Sequence, residues 1–168
     1  REQNQFIAQN HLEEYFVVMY SGNLAPGHDL ESIVELADSL KENTRVRFII
    51  AGDGYKFESL KSDIQSRDLK NIELMPLQPV SVFQHSLAAA DLGIVTISEG
   101  NAKLSVPSKT FNLMAAGIPI FCIASEDSDL AKIVFQYRAG RCFMPDEISR
   151  MTDFINEMAG ENSDSYRQ

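Results

Sequence analysis

Short, almost uninterrupted apolar runs alternate along this chain with longer amphipathic stretches, and that alternation leaves few architectures open. Residues 16–21, 46–51, 72–74, 92–96 and 119–123 read as strands, rich in Val, Ile, Leu and Phe. Residues 29–42, 57–67, 81–90, 108–116 and 129–137 follow them in turn with apolar spacing near three and four, and 147–159 reads as a last helix. In the first of these helices Leu30, Ile33, Val34, Ala37 and Leu40 share a face, while Glu31, Glu35, Asp38 and Glu42 lie elsewhere. Strands that are apolar on both faces, each followed by a helix, predict a parallel sheet covered on both sides through right-handed crossovers. The expected fold class is α/β, a doubly wound, Rossmann-like parallel sheet.

A chain of 168 residues that is 44% hydrophobic can bury one substantial core. Residues 1–14 are polar and read as a linker or tail, 15–160 as the domain, and 161–168 as a frayed tail. The first residue is Arg, which reads as a piece of something longer. A net charge of -9 repels polyanions, so nucleic acid and anionic membrane surfaces are not expected partners. Any anionic ligand must then be held by local groups. Cys122 lies in an apolar run and Cys142 near another, with no CxxC pair and no His at ligand spacing. Both read as reduced thiols of a cytoplasmic protein, and no metal site is expected. No window approaches the ~18 apolar residues of a membrane span, and no signal-peptide pattern opens the chain.

In doubly wound sheets ligands sit beyond the carboxyl ends of the strands, where the winding reverses. Three such loops are rich in Gly or small polar residues: 22–29, 52–54 and 98–109. The third leads into a helix with Pro107, Ser108 and Lys109 at its mouth, an apolar body, and Gly117 as its stop. A helix mouth offers unpaired N–H groups and the positive end of the dipole, and a lysine beside it favours phosphate. In the first loop Gly22 allows close backbone approach, and Asn23 and His28 are candidate donors to a phosphate or a sugar. A tight turn with Asp29 as helix cap explains the same residues, and both readings stand. Asp53, between Gly52 and Gly54, is either a simple turn or the lining of a cleft. Residues 77–83, with Pro79, either start a helix capped by Ser81 with Phe83 in the core, or hold a base against backbone amides.

Several chemistries lack support. There is no G-x-G-x-x-G, no G-x-x-x-x-G-K-[ST] and no G-x-S-x-G. His11, His28 and His85 are scattered, and Glu126, Asp127 and Asp129 read as a solvated helix start rather than a cation site.

Four segments in order, Tyr20-Ser21-Gly22-Asn23-Leu24, Ala51-Gly52-Asp53-Gly54, Ala88-Ala89-Ala90-Asp91-Leu92-Gly93 and Val106-Pro107-Ser108-Lys109 with Met114-Ala115-Ala116-Gly117-Ile118-Pro119, carry a family likeness. Together they resemble the carboxy-terminal half of a GT-B glycosyltransferase, most like the retaining family 4 group of capsule, exopolysaccharide and O-antigen assembly. The resemblance covers residues 16–159 and implies a nucleotide-sugar donor domain, with UDP as the expected carrier. It places the base near residues 77–83, the ribose at Asn112, and the diphosphate at Val106, Ser108 and Lys109, with Gly22 and Asn23 facing the phosphates or donor sugar. The expected donor-binding set is thus Gly22, Asn23, His28, Asp53, Gly54, Pro79, Phe83, Val106, Ser108, Lys109 and Asn112.

The sequence departs from the family pattern in two places. Relatives often carry Arg and, five residues on, Lys in the first loop; Asn23 and His28 stand there, so Lys109 is the main cation of this half. Relatives also often carry two glutamates eight positions apart; Leu104 and Asn112 stand there, with Glu99 the nearest carboxylate upstream. The resemblance implies a glycosyltransferase acting on a saccharide or lipid-linked acceptor without a cofactor or metal. A missing amino-terminal domain would supply the acceptor site and the catalytic groups, at the inner face of the membrane if that domain carries the contact. The fragment alone should be inactive. Two alternatives are half of a non-hydrolysing UDP-sugar 2-epimerase and a non-catalytic flavodoxin-like module.

Overall fold

The computed structural model describes residues 4–98 and 106–160. Six strands form one sheet: β1 (Phe16–Ser21), β2 (Val46–Ala51), β3 (Ile72–Met75), β4 (Leu92–Thr96), β5 (Ile120–Ile123) and β6 (Gly140–Phe143). Their order is β3-β2-β1-β4-β5-β6, and every neighbouring pair is parallel. Helices α1 (Gln5–Gln9), α2 (Glu31–Ser39), α3 (Phe57–Ser66), α4 (Val80–Leu87), α5 (Ser108–Ala115), α6 (Asp129–Gln136) and α7 (Ile148–Ala159) cover both faces. The α/β doubly wound sheet expected from the apolar alternation is therefore the observed fold.

Alternate residues of each strand feed opposite layers, because the side-chain period of a strand is two. Val18 and Tyr20 of β1 and Phe48 and Ile50 of β2 pack with Leu30, Ile33, Leu60, Met151 and Ile155 of the helical side. Val17, Met19 and Ile49 point the other way, onto Phe6, Ile7 and Ala89. Farther along that second face, Val95, Ile120 and Cys122 meet Leu113, Leu130 and Val134.

Two elements go beyond the sequence reading. The segment read as a linker or tail carries α1, whose cap Asn4 accepts from the Phe6 and Ile7 N–H groups at 2.9 and 3.3 Å. Phe6, Ile7 and Leu12 are buried against the sheet, so within residues 4–14 three apolar anchors outweigh the polar majority. Residues 161–168 lie outside the described residues. The sixth strand was not expected, because Gly-Arg-Cys-Phe has no β-branched residue; it forms because it pairs with β5 along one side. Gly140 is required there, since a Cβ would collide with the Ile120 carbonyl.

Helix ends differ in smaller ways. α4 is entered through Pro79, whose backbone is extended, and Ser81 lies inside the helix rather than capping it. Asp29 does cap α2, accepting from the Ser32 N–H at 3.2 Å and the Ser32 hydroxyl at 2.6 Å. α5 closes as a Schellman turn: Gly117 adopts φ +67°, its N–H reaches the Met114 carbonyl at 3.1 Å, and Ile118 N–H reaches Leu113 at 3.0 Å. Buried Leu113 and Ile118 pack in the same layer as that turn, which fixes how α5 leads into β5.

Candidate functional site

β1 and β4 are neighbours in space although β2 and β3 intervene in sequence, so the winding reverses between them and a crevice opens beyond their carboxyl ends. The loop after β1 is pinned from below. Gly22 N–H donates to Ala51 O at 2.9 Å, Leu24 N–H to Asp53 O at 2.9 Å, and Lys56 N–H to Leu24 O at 3.0 Å. Gly22 has φ +147°, a conformation that an L side chain resists. Tyr20, fully buried, donates its hydroxyl to Asn23 O at 2.7 Å. Lys56 Nζ donates to His28 O at 2.8 Å and pairs with Glu31 at 2.7 Å.

A cavity of about 410 Å³ lies in that crevice, within the range of small-molecule sites. Gly22, Asn23, His28, Ser108, Lys109 and Asn112 form its polar wall, and Met19, Leu77, Phe83 and Leu87 much of its apolar one. Among the described residues no carboxylate lines it, although the chain carries 24 acidic side chains. Among the described residues no side chain caps α5, whose mouth at Pro107 and Ser108 opens on the cavity.

Lys109 is the centre of the arrangement. Its Nζ is buried, has no hydrogen-bond partner among the described residues, and stands 3.6 Å from the centroid of the Tyr20 ring. A Cβ on Gly22 would lie 3.0 Å from it, so the glycine leaves the amine its space. Burial pushes the Lys109 pKa down to about 7, because withdrawal into the protein disfavours the charged ammonium. Ser21 Oγ, also on the cavity wall, is a second buried polar atom with no partner among the described residues. Unpaired buried polar groups are costly, and their clustering here marks a place built for a polar guest.

His28 is placed differently from the expectation that it donates into the site. Its Nδ1 lies 2.9 Å from Thr96 O and therefore carries the proton, leaving Nε2 of the neutral ring as an acceptor. Burial lowers its pKa foremost; the bond to Thr96 opposes that shift, and Lys109 and Lys56 add to it. A neutral His28 suits a hydroxyl donor better than a phosphate.

Of the expected set, Gly22, Asn23, His28, Phe83, Ser108, Lys109 and Asn112 line one cavity. Asp53, Gly54, Pro79 and Val106 do not. The Asp53 carboxylate accepts the Leu77 N–H at 3.2 Å and so ties two rim loops together. A Cβ at Gly54 would lie 2.7 Å from Asn23 Oδ1. Pro79 opens α4, and Val106 packs beside the apolar layer of Val95 and Leu113. Glu99 and Leu104 lie outside the described residues. Tyr20 escaped the sequence reading, because an aromatic residue in a strand looks like core until the cation above it is seen. Among the described residues, no cluster of His, Cys, Asp and Glu suits a metal, and no helix is long and apolar enough to cross a membrane.

The family Glycosyl transferases group 1 matches residues 2–167. The chain belongs to that family. WcaI of Escherichia coli (strain K12), described as a colanic acid biosynthesis glycosyl transferase, is 27% identical over 142 residues, which are 84% of this chain and 35% of WcaI. WbjE of Pseudomonas aeruginosa, described as a glycosyltransferase, is 28% identical over 145 residues, 84% of this chain and 36% of WbjE. This chain thus spans about a third of the length of the curated relatives it matches. Its fold is similar to that of Anabaena HepE, crystallised with UDP and glucose, with a TM-score of 0.79 and 17% identity over 98% of this chain and 44% of HepE. The resemblance to the carboxy-terminal half of a GT-B glycosyltransferase, seen in the Gly22, Gly52, Gly93 and Lys109 segments, agrees with the family so identified.

Proposed function

We propose that this chain is the nucleotide-sugar-binding half of a glycosyltransferase and that its cavity holds the diphosphate of a UDP-sugar. One observation carries the reading: a buried lysine amine with no partner among the described residues, beside a helix mouth that no described side chain caps, in a cavity whose described lining includes no carboxylate. A diphosphate satisfies each of those features at once, since it accepts from Lys109 Nζ and from the first N–H groups of α5 and sits at the positive end of the dipole. Asn112, one helical turn into α5, meets the ribose, and Leu77 and Phe83 flank the base. Gly22 and Asn23 approach the phosphates from the β1 side, and Nε2 of His28 accepts from a sugar hydroxyl.

In this reading the chain's contribution to catalysis is electrostatic. As the bond from the anomeric carbon to the diphosphate breaks, negative charge grows on the leaving oxygen, and Lys109 with the α5 amides stabilises it. The reading invokes no metal and no cofactor. A domain amino-terminal to this one supplies the acceptor site and the remaining catalytic groups, and the acceptor is a saccharide or a lipid-linked saccharide, met on the cytoplasmic side of the membrane. HepE, whose structure was solved with UDP and glucose, supports the choice of UDP. A 2-epimerase would need acid and base groups on the cavity wall, and there the described titratable residues are His28 and Lys109 alone.

Titration calorimetry of the chain with UDP, GDP and ADP tests this reading. UDP is expected to bind, and to bind more tightly than the other two. No heat with any of the three would overturn the assignment.

A further inference from the structure

Lys109 raises a physical difficulty that the donor reading does not resolve. An amine buried without a partner tends to shed its proton, and burial does push Lys109 down to about 7. A neutral amine would meet an incoming diphosphate as a poor anchor. Among the described residues the groups that face Nζ are few: the Tyr20 ring from β1, the Gly22 backbone, and His28 from the loop before α2. His28 offers repulsion if charged and nothing if neutral. Within α5 the neighbours Ser108, Thr110 and Asn112 carry no charge. Only the face of the Tyr20 ring, 3.6 Å below the nitrogen, attracts the charged form.

That ring is also held in place. Tyr20 is fully buried, its hydroxyl is tied to Asn23 O at 2.7 Å, and its edge meets His28 with ring centroids 6.1 Å apart. It therefore offers a fixed face rather than a side chain that must be ordered when ligand arrives.

We propose that Tyr20 is a positioning residue for the diphosphate: its ring face keeps the Lys109 ammonium charged and aimed in the empty cavity, so that the cation stands ready before the donor binds. This rests on the donor reading above. Tyr20 touches no ligand; it acts through Lys109. The same contact couples the two walls of the crevice, because the ring belongs to β1 and the amine to α5.

The test follows UDP affinity by calorimetry from pH 6 to 9 in wild type, Tyr20→Leu, Tyr20→Phe, and each leucine and tyrosine form in a Lys109→Arg background. Wild-type affinity should fall as Lys109 loses its proton, and Tyr20→Leu should move that fall about one pH unit lower. Tyr20→Phe, which keeps the ring, should retain the wild-type midpoint. In the Lys109→Arg background, where the cation does not titrate, Tyr20→Leu should leave the profile unmoved, which separates Lys109 from His28. A Tyr20→Leu curve that is weaker by the same factor at every pH, with no shift of midpoint, overturns the proposal and leaves Tyr20 a core residue.

Should Tyr20→Leu not fold, wild-type NMR decides by itself. The Lys109 ε-methylene protons should resonate well upfield of other lysines through the ring current of Tyr20, and a normal shift overturns the proposal. Failure of all three nucleotides to bind would refute the donor reading and with it the role of Tyr20 toward a diphosphate, whereas a normal ring-current shift with UDP still bound would refute the Tyr20 proposal and leave the donor reading standing.

Discussion

The two ends of the parallel sheet each carry cationic side chains beside a depression, and they use them in opposite ways. Beyond the carboxyl ends of β1 and β4, Lys109 is buried and, among the described residues, unpaired and without a neighbouring carboxylate. At the entry ends of β5 and β6, a wider hollow of about 600 Å³ is edged by Arg138, Arg141, Tyr137 and Phe154. Arg138 and Arg141 are exposed to water there. Arg141 lies over the Phe143 and Phe154 rings at 5.6 and 5.4 Å, and the last turns of α5, α6 and α7 end nearby, where positive charge offsets the helix dipoles. A solvated guanidinium at a helix end stabilises the fold; an amine withdrawn from water without a partner opposes it. The contrast is one of cost: the arginines are held where water and helix ends favour charge, and Lys109 where burial opposes it.

Removing Lys109 should separate the two ends most sharply. Lys109→Ala is expected to weaken UDP binding about a hundredfold, by the ~1.5–3 kcal/mol of a charge-assisted bond to phosphate, read by calorimetry. Lys109→Met should also raise the melting temperature of the ligand-free chain, because it relieves an unpaired buried amine. A drop in melting temperature would mean that Lys109 is structural, like the arginines.

Gly140→Ala probes the other end. Its Cβ meets backbone rather than a flexible side chain, so β6 must move away from β5, and the loss of stability should be roughly 2–3 kcal/mol in denaturant unfolding. UDP affinity of the folded fraction should stay near wild type. Loss of affinity matching the loss of stability would show that the two ends are not independent.

The pH dependence of stability has a defined sign. Lys109 holds its proton to about 7 when folded and to ~10.4 when unfolded, so between those values the unfolded chain binds more protons. Its contribution therefore makes the ligand-free fold more stable as pH rises from 7 toward 10, and Lys109→Met should flatten that rise in thermal scans at several pH values. Smallest of all, Arg138→Ala combined with Arg141→Ala should change UDP affinity less than twofold.

The sheet and most of its helices were legible because apolar runs such as 46–51 and 92–96 admit little but buried strands, and because the Leu30 to Leu40 face keeps one helical period. β6 was not legible: Gly140-Arg141-Cys142-Phe143 has no strand signature of its own, and only the open side of β5 makes it one. α1 was hidden for the opposite reason, since Phe6, Ile7 and Leu12 are too few to outweigh their polar neighbours until the sheet is there to receive them. At the site, the helix mouth and Lys109 could be read from Pro107 to Gly117, because capping and stop signals are local. The Tyr20 contact and the spent Nδ1 of His28 could not, since both depend on residues brought together across the sheet from β4 and α5.

The register that aligns Cys122 of β5 with Cys142 of β6 gives the molecule a built-in gauge. Both thiols are free; Cys122 is sealed in the core and Cys142 half-buried at the rim. Side-chain hydrogen bonding between the two thiols lowers the pKa of the outer one and, together with burial, raises that of the inner one. An alkylating reagent should therefore mark Cys142 first and reach Cys122 only when the sheet margin peels open. The ratio of the two labelling rates would report, without any added probe, how often this domain breathes from its sixth strand.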